Sequence, residues 1–433
     1  MLARVAKKLK RSRAAIKSAF CTYKSAKWHA AQVEALSVER SAIAEPPGAE
    51  HDPADPKLRQ AERRVVFLND EVRQLRTKLK HSDRKDGIVL ELAEQLESFV
   101  QPMHSNFPAA QWAPLKPDAE SVDAVVTLSD QHGDRVVRTA GSWGLERYDF
   151  NVFRCRIWEW AKMIGRYCSV HLPNYKFETL WVWHLGDAVN GDIHNMKHRN
   201  HFGNSMVASL AIGDLQAEVF AYLSQFFERI AVVCVPGNHG RTTSKVEWED
   251  PFDNFDYLVA KTMKLRLGDN DKVEIFTPRA WSAFVEVRGY LWNLNHGHGV
   301  RGVMGIPWYG FERREGRVQR LASFNNRPID YFAYGHFHTP MTRPSGRGKA
   351  VHSGSWYFTD EYALNQLAVG NTPEQTLLVF SERFGRQMEI PLMVRDEEKE
   401  QAMFNGEYTP PFGRNLVVDE PEDPELGTTP IIS

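Results

Sequence analysis

The sequence predicts an α/β fold with mixed sheets. From Ser121 onward, apolar runs of four to eight residues alternate with helix-length segments, the pattern of βαβ units. Two late runs, TLLVFS at 376–381 and QMEIPLM at 387–393, read as an antiparallel hairpin that makes the sheets mixed. A third observation concerns chemistry: polar residues of metal-binding type follow five of the apolar runs.

In chain order, the expected elements are AVVTL at 124–128, a helix near 150–169, TLWVWHL at 179–185, a helix near 205–228 and IAVVCV at 230–235. A further helix near 252–266 precedes the strand candidates VEIF, SAFVEV at 282–287 and YLWNL at 290–294. A helix near 309–323 leads to YFAYG at 331–335. Ahead of this body, residues 1–57 read as a basic helical arm with a Pro- and Ala-rich linker at 41–57. Residues 58–120 read as a helical, coiled-coil-like region. Leu58, Ala61, Val65, Leu68, Val72, Leu75 and Leu79 alternate in steps of three and four, a seam for a partner helix. Docking on the chain's own body and self-association remain open for it. Ile88, Leu92, Leu96 and Phe99 form a second amphipathic stretch. The catalytic region is placed at 121–395, and the Pro- and acid-rich residues 396–433 are expected to be disordered.

The 433 residues, 42% hydrophobic, allow two or three domains. No run of about 18 apolar residues occurs, so no membrane span is expected. The four cysteines lie far apart with no CxxC pair, which excludes a disulfide scaffold and a zinc finger and suits a reducing cytosol. A net charge of -1 conceals a basic head, with nine Lys/Arg and no acid in residues 1–33. It also conceals an acidic end, with ten Asp/Glu in 396–433. The head admits three readings: an arm binding nucleic acid or a partner, a mitochondrial transit segment, or a membrane-surface helix.

The motifs follow the strands. LSDQH supplies Asp130 and His132, LGDAVN supplies Asp187, and VPGNH supplies Asn238 and His239. LNHGH supplies His296 and His298, and YGHFH supplies His336 and His338. Ligands of α/β sheets bind at the carboxyl ends of strands, so the five clusters are expected to converge. Carboxylate, imidazole and one amide oxygen together suit Mn, Fe, Zn or Ni, and the donors outnumber the needs of one ion. A shared carboxylate can hold two ions about 3.5–4 Å apart, the spacing that clamps a reacting phosphoryl group. His184, His194, His198, His201 and His352 lie near the motifs and are read as packing or solvated residues.

The succession DxH, GDxxN, GNH, HGH and GHFH resembles the calcineurin-like metallophosphoesterase superfamily over about residues 121–395. The resemblance implies two mixed β-sheets packed face to face with helices outside, a four-layer sandwich, and a site for two divalent transition-metal ions, with manganese favoured. It implies that Asp130, His132, Asp187 and His338 hold one ion and that Asp187, Asn238, His296 and His336 hold the other. His239 would be the acid that protonates the leaving oxygen. SGS at 353–355 resembles the family's short strand after GHxH. Two departures stand out: Gly240 follows GNH, and Asn190 ends GDxxN. Where relatives use an Asp at that place to orient the catalytic His, Asp134 or Asp192 is the expected substitute here.

Around the motifs the sequence is basic and aromatic. Arg241 and Lys245 follow GNH; Arg301, Trp308, Tyr309, Phe311, Arg313, Arg314, Arg317 and Arg320 follow HGH. Such residues can track a phosphate backbone and stack bases, although an ordinary amphipathic helix at 309–323 fits equally. Arg241, Lys245, Arg301 and His298 are therefore the candidate substrate contacts. The arrangement is similar to SbcD-type DNA-repair exonucleases and, more closely, to phage-encoded metallophosphoesterases of DNA-repair exonuclease type, which the stretches HGHGV, GIPWYG, GHFHTP and SGSWYFTDEYA resemble. That resemblance implies a nuclease acting on DNA, an ATPase partner or self-association through residues 58–79, and a cytoplasmic setting, in a host cell if the chain is virus-encoded. A phosphatase or phosphodiesterase for a small nucleotide or phosphoprotein is the alternative. A non-catalytic scaffold is the second.

Overall fold

Burial along the first strand, β1 (Glu120–Leu128), sets the layering. Every residue from Val122 to Leu128 is buried, which requires cover on both faces of the sheet. Val122, Ala124, Val126 and Leu128 join the core beneath the helices, whereas Val125 joins a second core on the opposite face. This computed structural model describes residues 88–97, 100–103, 107–192, 200–243, 250–301, 307–324 and 327–411. The basic arm and linker, the heptad of 58–79 and residues 412–433 lie outside the described residues.

The chain continues through α2 (Phe150–Arg166), β2 (Tyr175–His184), α3 (Ser205–Leu223), β3 (Arg229–Cys234), α4 (Phe255–Leu267) and β4 (Val273–Phe276). A short helix, α1 (Ile88–Leu96), precedes β1. Next come β5 (Ser282–Val287), β6 (Tyr290–Asn295), α5 (Trp308–Ser323), β7 (Tyr331–Tyr334), β8 (Met341–Ser345) and β9 (Gly348–His352). The hairpin β10 (Glu374–Ser381) and β11 (Gly385–Met393) and the helix α6 (Glu397–Phe404) follow. Asp149, Asn204 and Asn254 cap α2, α3 and α4 by accepting first-turn N–H bonds.

Two mixed sheets result. The first has the order β11-β10-β1-β2-β3-β4 and the second β5-β6-β7-β9-β8. Within the first, β1 to β4 run parallel, β10 runs antiparallel to β1, and β11 runs antiparallel to β10 and so in the direction of β1. In the second, β6, β7 and β9 are parallel, with antiparallel strands at both edges. Trp183, Val233 and Phe380 of the first sheet meet Trp292, Leu294 and Ala333 of the second in the shared core. Helices α2, α3 and α4 cover the first sheet's outer face, and α5 packs on the second through Phe311 and Ala322. The expected α/β sandwich with flanking helices is the fold observed. By composition and length α3 could cross a membrane, yet 72% of that window is buried; it is a core helix.

Several expectations need correction. The helical reading of 58–120 does not extend to its end, because residues 107–117 run as irregular chain, where Pro108, Pro114 and Pro117 deny helix hydrogen bonds. In α1, Val89 and Ala93 are buried on Leu258 with Leu96 of the expected face packed beside them, whereas Leu92 is only half-buried. SGS at 353–355 is not a strand; the strand is β9, just before it. Disorder beyond Asp396 does not hold for α6. The Asp396 side chain caps it, and its Glu400 reaches the buried Arg156 guanidinium at 2.7 Å, opposite Glu146 at 3.0 Å. Removing the cation from such a buried cluster leaves two carboxylates uncompensated, so Arg156→Met is expected to cost about 3 kcal/mol or more. Denaturant unfolding measures this; a loss well under about 1 kcal/mol would mean that the cluster is solvated.

Candidate metal centre

The five motif loops leave the carboxyl ends of β1, β2, β3, β6 and β7. Those strands are neighbours in their sheets, so the loops meet along one edge of the sandwich. Their backbones are held in an unusual state. Eight described non-glycine residues have positive φ, and five of them are Asp130, His132, Asp187, His336 and His338. Left-handed backbone at non-glycine residues costs free energy and tends to gather at functional sites; here it turns each side chain inward at a strand end.

The donors converge in two overlapping sets. Asp130, His132 and His338 can place one ligand atom each within 4.8 Å of the others, and so can Asp187, His296 and His336. Nε2 of His338 lies 3.3 Å from Nε2 of His132 and 3.3 Å from Asp130 Oδ1. Nε2 of His296 lies 3.0 Å from Asp187 Oδ2 and 3.0 Å from Asn238 Oδ1. Asp187 stands between, also within reach of His132 and His239. All seven expected ligands are thus brought together. His298 is not among these donor sets; its ring packs against Trp281, and burial pushes it down to about 3.

The residues fit divalent cations. Nδ1 of His296 lies 2.7 Å from the Leu185 carbonyl, which as acceptor fixes the proton there. In a neutral His296 three acceptor atoms would therefore face one another without a donor. Burial opposes charge on His296, yet Asp187 overrides it and raises the imidazole to about 9; the position demands a positive charge. Burial likewise works against the Asp187 carboxylate, but the neighbouring His296 and His239 hold it well below the usual range. Burial, aided by neighbouring imidazoles, keeps His132 and His336 well below the ordinary histidine value. Neutral imidazoles beside ionised carboxylates are the protonation states that ligate metal.

The surroundings hold the donors in place. The His336 N–H donates to Asp130 Oδ1 (2.9 Å), tying the two sheets, and the His239 N–H donates to Asp187 Oδ1 (2.8 Å). Gly186, at φ +89°, and Gly237 allow their loops to touch: a Cβ on Gly237 would sit 2.1 Å from Asp187 Oδ1. Gly237→Ala should therefore push Asp187 aside and slow the chemistry of this site by about 10²-fold, the scale of a 1 Å misplacement. Steady-state rates and an unchanged circular dichroism spectrum test this; wild-type rates would show that the loop relaxes freely.

His239 lies at the rim, its ring centroid 4.6 Å from that of His132. Its Nδ1 is 2.9 Å from the Asn190 carbonyl, so a backbone oxygen orients the ring. The expected substitutes do otherwise: Asp134 accepts the Asn190 N–H at 2.5 Å, and Asp192 accepts from Ser205 Oγ. The Asn190 side chain accepts from the buried Arg135 at 2.8 Å, which also pairs with Asp360. Arg241 donates to the Asn238 and Thr243 carbonyls, bracing the GNH loop where a substrate contact was expected. Arg301 is exposed beside a cavity, and Lys245 lies outside the described residues.

Sequence reading missed Asp256. Buried at the start of α4, it accepts the N–H groups of Asp187 (3.0 Å), Ala188 (2.9 Å) and Gly237 (2.8 Å), locking the β2 and β3 loops together. An acid in a first helical turn reads as an ordinary dipole partner, so nothing local marked it. Arg135 was missed for the same reason, since its partners are distant in sequence.

Fold and donors together define an α/β sandwich with a candidate two-metal site. No family model and no curated protein matches the chain. Among solved structures it is similar to an archaeal phosphodiesterase, at 13% identity over 62% of this chain and 99% of that one, with a TM-score of 0.28. It is also similar to Vps29 complexed with zinc from Entamoeba histolytica (11%, 62% and 99%, TM-score 0.26). A third is a predicted phosphoesterase from Streptococcus pneumoniae TIGR4 (12%, 63% and 99%, TM-score 0.23). At this distance, the residues themselves must carry the functional reading.

Proposed function

We propose that this chain is a metal-dependent phosphoesterase that hydrolyses phosphodiester bonds, with DNA as its substrate. The observation that carries the reading is the meeting of Asp130, His132, His338, Asp187, His296 and His336, from both sheets, in two donor sets at one edge. Asp130, His132, Asp187 and His338 would hold one divalent ion, and Asp187, Asn238, His296 and His336 the other, with manganese favoured by an oxygen- and imidazole-rich set. Bound ions of this kind supply Lewis acidity toward phosphoryl oxygens and a reactive water near neutral pH.

The chain's own residues supply positioning and proton transfer. Burial lowers His239 below its ordinary value, which leaves Nε2 bare while Nδ1 keeps its proton on the Asn190 carbonyl. An anionic ester alongside raises the proton affinity of Nε2, so the acid form arises with substrate in place. Nε2 then gives its proton to the leaving oxygen. Arg135 and Asp134 hold Asn190, and through it the ring. Asp256 keeps Asp187 and Gly237 in register.

The DNA reading rests on the arginines that follow His298 and on the similarity of the HGHGV and GHFHTP stretches to DNA-repair exonucleases. A large ATPase partner, or self-association, through residues 58–79 belongs to the same proposal, as does a cytoplasmic setting, which three free cysteines buried among the described residues support. The test is manganese-supplemented protein given single-stranded DNA, duplex DNA, bis-p-nitrophenyl phosphate and p-nitrophenyl phosphate. DNA degradation with diester cleavage is expected. Cleavage of the monoester alone would make it a phosphatase, and silence on all four a scaffold.

A further inference from the structure

The outer face of the second sheet is covered by α5 over β6 and β7, but not over the edge strand β5. Between α5, β5 and the loop that follows His298 lies a cavity of about 790 Å³. Among the described residues five arginines line it, Arg301, Arg313, Arg314, Arg317 and Arg327, and no carboxylate does. Only Arg327 has a described ion-pair partner, Glu286. Arg313 leans on the Tyr309 ring. Arg301, Arg314 and Arg317 have no carboxylate partner among the described residues. Arg314 goes further, because its Nε is buried without a hydrogen-bond partner among the described residues. A buried charged donor left unpaired is costly and points to a missing acceptor.

The other wall is apolar. Phe284 is 55% exposed and Leu321 67% exposed, and Leu291 and Val318 line the floor. The trough also begins beside the metal centre: Gly299, which lines it, follows His298, whose ring lies 5.5 Å from that of His296.

We infer that this trough is the path of a single-stranded nucleic acid, its phosphates on the arginines and its bases against Phe284 and Leu321, leading into the metal centre. Guanidinium forks match phosphate oxygens two at a time, and exposed apolar and aromatic side chains contact unstacked bases of any sequence. A cavity of this volume lies in the range of pockets for small ligands and is far too small for a duplex, so the strand is unpaired where it enters. The inference rests on the polynucleotide reading of the metal centre.

The test uses the full-length, metal-loaded protein and a nuclease-resistant phosphorothioate oligo(dT) of about ten nucleotides, a site size common for single-strand binders. Fluorescence anisotropy is followed across a salt series for wild type and for Arg314→Ala/Arg317→Ala, with melting temperature as the check on folding. Each lost phosphate contact should lower the salt slope by about 0.7, hence by about 1.4 for the pair, and affinity should fall at least tenfold, by about 1.4 kcal/mol. Should the double variant unfold, the exposed Arg317→Glu alone carries the test. The basic segment 1–33 acts in both proteins, so the difference isolates the trough. Unchanged affinity and slope would overturn the inference, and so would dTMP binding as tightly as the oligomer. Wild type that grips oligo(dT) but hydrolyses no ester sinks the phosphoesterase reading and leaves the trough standing. Wild type that cleaves bis-p-nitrophenyl phosphate while the variant binds oligo(dT) unchanged sinks only the trough.

Discussion

Asp187→Ala is expected to abolish turnover and to lower bound metal from two equivalents toward one or none. The carboxylate stands within ligand distance of His132, His239, His296 and His336, and it is the one acid that both donor neighbourhoods share. Losing a single hydrogen-bond donor to developing charge costs about 10²–10³-fold in rate; losing the bridge between two cations should exceed that. Its removal also strands His296, whose raised proton affinity depends on Asp187, and frees the His239 N–H. Elemental analysis beside steady-state rates on bis-p-nitrophenyl phosphate reads both effects. Near-wild-type rates with two metals bound would remove Asp187 from the bridging position.

The second large effect is expected from His239→Ala. A positioned general acid contributes about 10²–10⁴-fold, so kcat on DNA should fall by that range while metal content stays at the wild-type level. The loss should shrink on bis-p-nitrophenyl phosphate, because p-nitrophenolate leaves without a proton. The contrast matters, since Asp187, His132 and His239 also lie within ligand distance of one another. Metal lost on His239→Ala would make the ring a ligand. An equal loss on both substrates would make its part electrostatic.

The strand order of motifs made the metal-centre residues legible because each sits just after an apolar run, and a short loop cannot carry a residue far from its strand end. The same logic gave the alternating elements and the β10–β11 hairpin; the four-layer arrangement was implied only by the resemblance of the motif succession. What misled was local pattern without its partner. Leu92 of α1 looked as apolar as the Val89–Ala93 stripe that α4 buries. Acid-rich Glu397–Phe404 looked unfoldable until Glu400 met Arg156. Arg241 looked like a substrate contact, yet its nearest acceptors are the carbonyls of its own loop.

By itself, then, the sequence determined which side chains reach the carboxyl edge of the sheets, since strand ends are set by local hydrophobic pattern. Only the tertiary structure decided what holds them there. Asp256 gripping Asp187 from 69 residues away, the Asn190 carbonyl orienting His239, and the arginine trough under α5 are all juxtapositions of distant segments. Their energies depend on distance and burial in the folded chain, quantities that no stretch of sequence carries.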